Sequence, residues 1–176
     1  MESVRCGAVV VAWTDAGSDE RATRRAAGDA LLARLVGELG FTAAIGRRCP
    51  VCGADDHGRP VTTAPVALSL SYAGSMVAGA AVRLEDAASV GIDIEPSDRD
   101  TGDLRALFAP ATPPDIAGWT RIEAVLKADG RGIRIEPSSV VIDGSVATRP
   151  GPFDVRTIPG PAGFVISCAV AAPSPR

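Results

Sequence analysis

The chain has 176 residues and a formal net charge of −3, which leaves no electrostatic footprint for a nucleic-acid partner. Its hydrophobic fraction is 46% while aromatics make only 4%, so a core of small aliphatic side chains is available and disorder is excluded. No apolar run approaches the roughly 20 residues of a membrane span.

At this length one domain, or two small halves sharing a core, is expected. Four cysteines without a targeting segment fit a reducing cytoplasm better than a disulfide scaffold, so a cytoplasmic location is expected. The basic residues are lopsided: 17 are Arg and one, Lys127, is Lys. A GC-rich genome accounts for the Arg excess, and the exception asks what Arg could not do at that position.

Gly7 to Trp13 (GAVVVAW) is short and β-branched, which predicts a strand, and Asp15 to Asp19 a polar turn. From Asp19 to Leu39 the pattern is helical, with Leu31, Leu35 and Leu39 on one face and Gly40 as the stop. Arg21, Arg24, Arg25 and Arg34 read as its solvated face. Residues 47–60 (RRCPVCGADDHGRP) read as a loop, and Val66 to Val82 as a hairpin turning at Ala73-Gly74-Ser75. A second half then begins. Val90 to Glu95 is a predicted strand closed by Pro96, and Ile116 to Ala128 a helix stopped by Gly130. Val140 to Ile142, Asp154 to Thr157 and Gly163 to Val170 are further strand candidates, the last two a hairpin. Each half therefore runs strand, helix, hairpin, without a visible sequence repeat.

Chemistry concentrates in the second half. Asp93 and Glu95 alternate with Ile92 and Ile94, so both carboxylates project from one strand face while the isoleucines enter the core. An oxygen-only pair of this kind suits Mg²⁺, although an exposed strand face is the commoner explanation of such a pair. On the following helix Trp119, Glu123 and Lys127 stand at i, i+4 and i+8 and form one stripe. Alone this is an aromatic anchor with an ordinary Glu–Lys pair. Jointly, three carboxylates and the only ammonium make a pyrophosphate–metal site.

Four segments carry a resemblance: CPVCGADDHGRP (49–60), SLSYAG (69–74), GIDIE (91–95) and WTRIEAVLKADGRG (119–132). In this order they resemble the 4′-phosphopantetheinyl transferases, in particular the Sfp-like branch that acts on polyketide and peptide synthetases. The resemblance implies an α+β fold of two pseudosymmetric α/β-type halves, residues 1–86 and 87–176, with coenzyme A in the cleft between them. It implies Mg²⁺ held by Asp93, Glu95 and Glu123, and attack by a Ser of an acyl or peptidyl carrier protein on the β-phosphate. Glu123 would accept the Ser proton, directly or through water, and Lys127 would stabilise the departing 3′,5′-ADP. Arg59 and Pro60 would line the adenine site with Ser71 beside it; Tyr72 would either pack against its hairpin or, as the matching family position favours, reach a phosphate with its hydroxyl. The implied enzyme is a monomer without nucleic-acid or membrane partners.

Three positions differ from the family pattern. Ile122 stands where the family carries Lys next to Glu123, Tyr72 where it carries a phosphate-contacting His, and Ala33 where it carries an Arg. Residues 109–115 (APATPPD) also replace a longer Phe-Phe…Glu segment. The alternative reading is a non-catalytic paralogue that binds CoA or a carrier protein. Cys49-x-x-Cys52 with His57 offers three local zinc ligands, the fourth falling to Cys6 or Cys168; a family loop signature is the preferred explanation.

Overall fold

A computed structural model describes residues 2–173. The fold is α+β, and its two halves repeat one connectivity. In the first, β1 (Glu2–Cys6) and β2 (Val9–Asp15) form a hairpin followed by α1 (Arg21–Glu38). A side hairpin of β3 (Ile45–Arg48) and β4 (Arg59–Thr62) then leads to β5 (Val66–Ala73) and β6 (Met76–Arg83). The second half comprises β7 (Ser89–Pro96), α2 (Arg105–Phe108), α3 (Ile116–Asp129), β8 (Val141–Asp143), β9 (Val146–Arg149), β10 (Phe153–Ile158) and β11 (Phe164–Ala171). The sheets run β1-β2-β6-β5 and β7-β11-β10-β9-β8, with antiparallel neighbours throughout. In each half the strand before the long helix pairs with the last strand of the returning hairpin: β2 with β6, β7 with β11.

Period-two alternation decides what each strand faces. Val9, Val11 and Trp13 of β2 share a central cluster with Val90, Ile92 and Ile94 of β7 and Ile166 of β11. Their neighbours Val10 and Ala12 face the other way, onto Leu31, Leu32, Leu35 and Val36 of α1. The expected leucine stripe is therefore the buried face of α1. Burial on both sides gives β2 its unbroken apolar run. On the outer face of the second sheet, Ala124, Val125 and Ala128 of α3 pack on Val155 and Ala169.

Small side chains let these layers close. A Cβ added at Gly91 would lie 1.9 Å from the Ala124 carbonyl oxygen and 2.5 Å from the Ala128 nitrogen, both backbone atoms of α3. Backbone cannot step aside as a flexible side chain can. Gly91→Ala is expected to destabilise the fold by about 3 kcal/mol or more, read as a lower urea midpoint at unchanged slope.

The observed elements differ from expectation in four places. Gly7 is not strand: it turns the β1–β2 hairpin at φ 62°, and β1 precedes it as an edge strand whose polar residues hide it. The ends of the 47–60 loop are strands β3 and β4, with Arg47 opposite Pro60, and the loop proper is shorter. Strand β9 and the four-residue α2 were not legible, being too short to show a period. Among the described residues no helix is long and apolar enough to cross a membrane.

Strands β5 and β7 are edges of different sheets, and side chains join them. The Ser69 Oγ accepts the Ile92 N–H at 3.1 Å, and the Ser71 Oγ donates to Asp93 Oδ1 at 2.8 Å. This serine seam sets the position of the polar site.

Candidate functional site

Alternation along β7 sends Val90, Ile92 and Ile94 into the central core, which turns Gly91, Asp93 and Glu95 towards α3. Helix α3 is held at both ends. Asp115 caps its first turn by accepting the Gly118 N–H at 2.7 Å, and Gly130 ends it in the left-handed region at φ 82°. Because α3 lies directly on Gly91, its residues Glu123 and Lys127 come down beside Asp93.

The lone lysine bridges the halves. Its Nζ donates to Asp93 Oδ1 at 2.6 Å and to Ser71 Oγ at 2.8 Å. Ser71 belongs to the first half, Asp93 and Lys127 to the second. Asp93 is 4% exposed, and while Oδ1 receives both donors, Oδ2 is buried without a hydrogen-bond partner. An orphaned buried oxygen of this kind costs about 1–3 kcal/mol. A bound cation is the ligand that would recover it.

The other two carboxylates are less neutralised. Burial pushes the Glu123 carboxyl above the usual range; the Lys127 ammonium opposes this, and Asp93 and Glu95 reinforce it. Burial likewise raises Glu95, with Asp93 adding to the effect, while the Arg99 guanidinium and the Trp119 indole N–H pull it back. Oxygen donors, an orphaned oxygen and mutual repulsion fit a hard divalent cation. The three do not yet converge as a ligand set. Among the described residues the only Cys, His, Asp or Glu group of three with ligand atoms within 4.8 Å of one another is Cys49, Cys52 and His57.

A raised folded pKa fixes the sign of a pH effect. Below about pH 4, the ordinary Glu range, Glu123 is neutral in both states and its burial costs no charge. As the pH rises to its raised folded value and beyond, the unfolded chain ionises first and stability is lost. Glu123→Gln removes that loss. The melting temperature of the variant minus that of wild type, measured without divalent cations, is expected to grow from about pH 4 to pH 7.

A cleft of about 910 Å³ opens beside this site; Glu123 and Lys127 line it, whereas Ser71, Asp93 and Glu95 are not among its lining residues. The first half contributes Arg59, Pro60 and Tyr72 to its wall, and the second Trp119, Glu123 and Lys127. Arg59 also spans it: a Cβ at Gly130 would lie 3.1 Å from an Arg59 guanidinium nitrogen, which therefore sits at the C-terminal end of α3. Volume and mixed lining match a small-molecule site.

The three positions that depart from the resemblance lie in different surroundings, and only Ile122 has an evident physical reason. Ile122 does not face the cleft; it is buried with Leu104, Phe108 and Trp119, where Phe108 meets Trp119 edge-on at 6.2 Å. The α2 segment supplies that apolar cover, so an aliphatic side chain suits position 122. Tyr72 lines the cleft, but its hydroxyl rests over α1: a Cβ at Gly28 would come within 2.8 Å of it, and the Arg24 guanidinium lies 5.6 Å from the ring centre. Ala33 is on the exposed face of α1 and does not line the cleft, and the adjacent Arg34 pairs with Glu38 at 3.0 Å.

Sequence reasoning missed Arg99, and it offered Arg47 only as one of three arginines, with Arg24 and Arg25, that could replace the lost cationic contacts. Arg47 is 8% exposed, lines the cleft and is ion-paired with Asp29 of α1. Arg99 pairs with Glu95 and with Asp103 at 2.9 Å. Neither stands out among 17 arginines, and Pro96 interrupts any helical reading of the Glu95–Arg99 spacing. No protein-family model matches the chain, and no curated protein matches it.

Proposed function

We propose that this chain is a 4′-phosphopantetheinyl transferase, moving the phosphopantetheine arm of coenzyme A onto a Ser of an acyl or peptidyl carrier protein. One observation carries the reading: a buried Asp93 with an orphaned oxygen, braced by Lys127 and Ser71 beside a cleft that both halves line. The resemblance of GIDIE and WTRIEAVLK to the family supports it independently.

In this reading Asp93, Glu95 and Glu123 hold Mg²⁺, which supplies charge neutralisation at the pyrophosphate when bound. Glu123 accepts the proton of the carrier Ser; burial moves its carboxyl towards the working pH, as a general base requires. The Ser oxygen forms a bond to the β-phosphorus, and the bond from that phosphorus to the bridging oxygen breaks. Lys127 stabilises the charge that collects on the departing 3′,5′-ADP. Arg59 and Pro60 line the nucleotide end, while Ser71 fixes the Lys127 ammonium for its task. Positioning and charge neutralisation supply most of the catalysis in such a transfer.

The test is mass spectrometry of apo carrier proteins incubated with the chain, CoA and Mg²⁺, where a mass gain of one phosphopantetheine arm is expected. No gain across several carrier proteins, with the fold and the reagents verified, refutes the reading. A second reading, binding of CoA or a carrier protein without transfer, is favoured by the unconverged carboxylates and by the engagement of Asp93 with Lys127. Calorimetry that detects CoA without turnover selects it.

A further inference from the structure

We propose that the loop between β3 and β4 is a zinc site whose protein ligands are Cys49 Sγ, Cys52 Sγ and His57 Nε2. This inference stands apart from the transferase reading, since it concerns a different set of donors. The three ligand atoms lie within 4.8 Å of one another. A tetrahedral ion with usual Zn–S and Zn–N bond lengths separates a thiolate from an imidazole nitrogen by about 3.6 Å. The Cys52 Sγ to His57 Nε2 distance is 3.4 Å, so that edge of the tetrahedron is already formed.

The histidine is oriented for ligation. Its Nδ1 lies 2.6 Å from Asp56 Oδ1, an arrangement that keeps the proton on Nδ1 and turns the Nε2 lone pair to the sulfurs. Carboxylate support behind a ligating imidazole is the usual outer shell of zinc sites. The cysteines are oriented by a tight turn: the Gly53 N–H donates to the Cys49 carbonyl at 2.9 Å, and the Cys49 N–H to the Ala54 carbonyl at 2.8 Å.

The loop has few alternatives for holding itself together. It is largely exposed and contains no buried aliphatic residue. It closes through Gly58, at φ 96°, where a Cβ would lie 2.4 Å from the Arg48 carbonyl oxygen. Arg25 of α1 holds it from outside by donating to the Asp56 carbonyl. A metal clip at Cys49, Cys52 and His57 would fix the segment that delivers Arg59 and Pro60 to the cleft.

The remaining cysteines supply no fourth ligand. Cys6 and Cys168 lie on β1 and β11 and line a separate cavity of about 170 Å³. The fourth position therefore belongs to water, consistent with the exposure of Cys52. Two thiolates and an imidazole select zinc over Mg²⁺, so this site and the carboxylate site take different ions.

The experiment measures bound zinc in the full chain, purified under reducing conditions without chelator and passed through gel filtration. About one zinc per chain is expected, falling to under a tenth of that in Cys52→Ser and His57→Ala, and unchanged in Cys6→Ser. Wild type loaded with Co²⁺ is expected to show thiolate charge-transfer bands and the intense visible bands of a four-coordinate ion, which needs no variant to fold. A reduced wild type that retains no zinc after incubation with equimolar Zn²⁺ overturns the proposal. A Co²⁺ spectrum of six-coordinate type without thiolate bands, or zinc lost equally in Cys6→Ser, also overturns it. Zinc in a chain inactive in transfer refutes only the transferase reading, and a zinc-free active chain refutes only this one.

Discussion

Lys127→Ala is expected to destabilise the folded chain by about 3–5 kcal/mol and to abolish transfer. Asp93 is 4% exposed and has one oxygen without a partner already. Removing the ammonium leaves a buried carboxylate supported only by the Ser71 hydroxyl. The pair need not be strongly net-stabilising for this to hold, because the cost lies in the charge left behind. A double-mutant cycle with Asp93→Asn separates the two contributions, and a coupling of about 0.5–3 kcal/mol is expected from urea unfolding. A loss under about 0.5 kcal/mol in Lys127→Ala would refute the role given to the bridge. Lys127→Arg tests why Arg is absent here: a planar fork cannot point one compact donor at both Ser71 Oγ and Asp93 Oδ1, so partial loss of stability and transfer is expected.

Glu123→Gln is expected to behave in the opposite way. Transfer falls by about 10³ through loss of the base, within the range seen for general-base removal, while the fold is retained and gains stability at neutral pH. The physical reason is the same burial that raises the Glu123 carboxyl, since an amide of equal size has no charge to desolvate. Activity and stability thus trade against each other at one residue. Mg²⁺ provides the control: it is expected to raise the melting temperature of wild type but not of Glu123→Gln. Equal Mg²⁺ shifts in both would remove Glu123 from the ligand set. Transfer within tenfold of wild type would remove it as base.

These two side chains were legible in the sequence because local periods place them. Alternation along residues 90–95 sorts isoleucines from carboxylates, and the i+4 spacing aligns Trp119, Glu123 and Lys127. The partnership between Ser71, Asp93 and Lys127 was not legible, because it joins positions up to 56 residues apart through sheet order. The reason for Ile122 was hidden for a different cause. Its apolar partners Leu104 and Phe108 lie in segments too short to show any period. The Cys49–His57 grouping was visible as spacing, yet only the turn and the Asp56 contact distinguish a ligand set from a chance cluster.

The central cluster holds side chains from both sheets: Val9, Val11 and Trp13 from one, Ile92, Ile94 and Ile166 from the other. Cutting the chain between the halves would strip each sheet of its facing wall and expose aliphatic surface along its length. The jaws of the cleft are therefore fused at the base, and spreading them means unpacking the core rather than turning a hinge. Adaptation to a ligand in this cleft would then fall to segments at its rim, such as the one that carries Arg59 and Pro60, rather than to closure of the two halves.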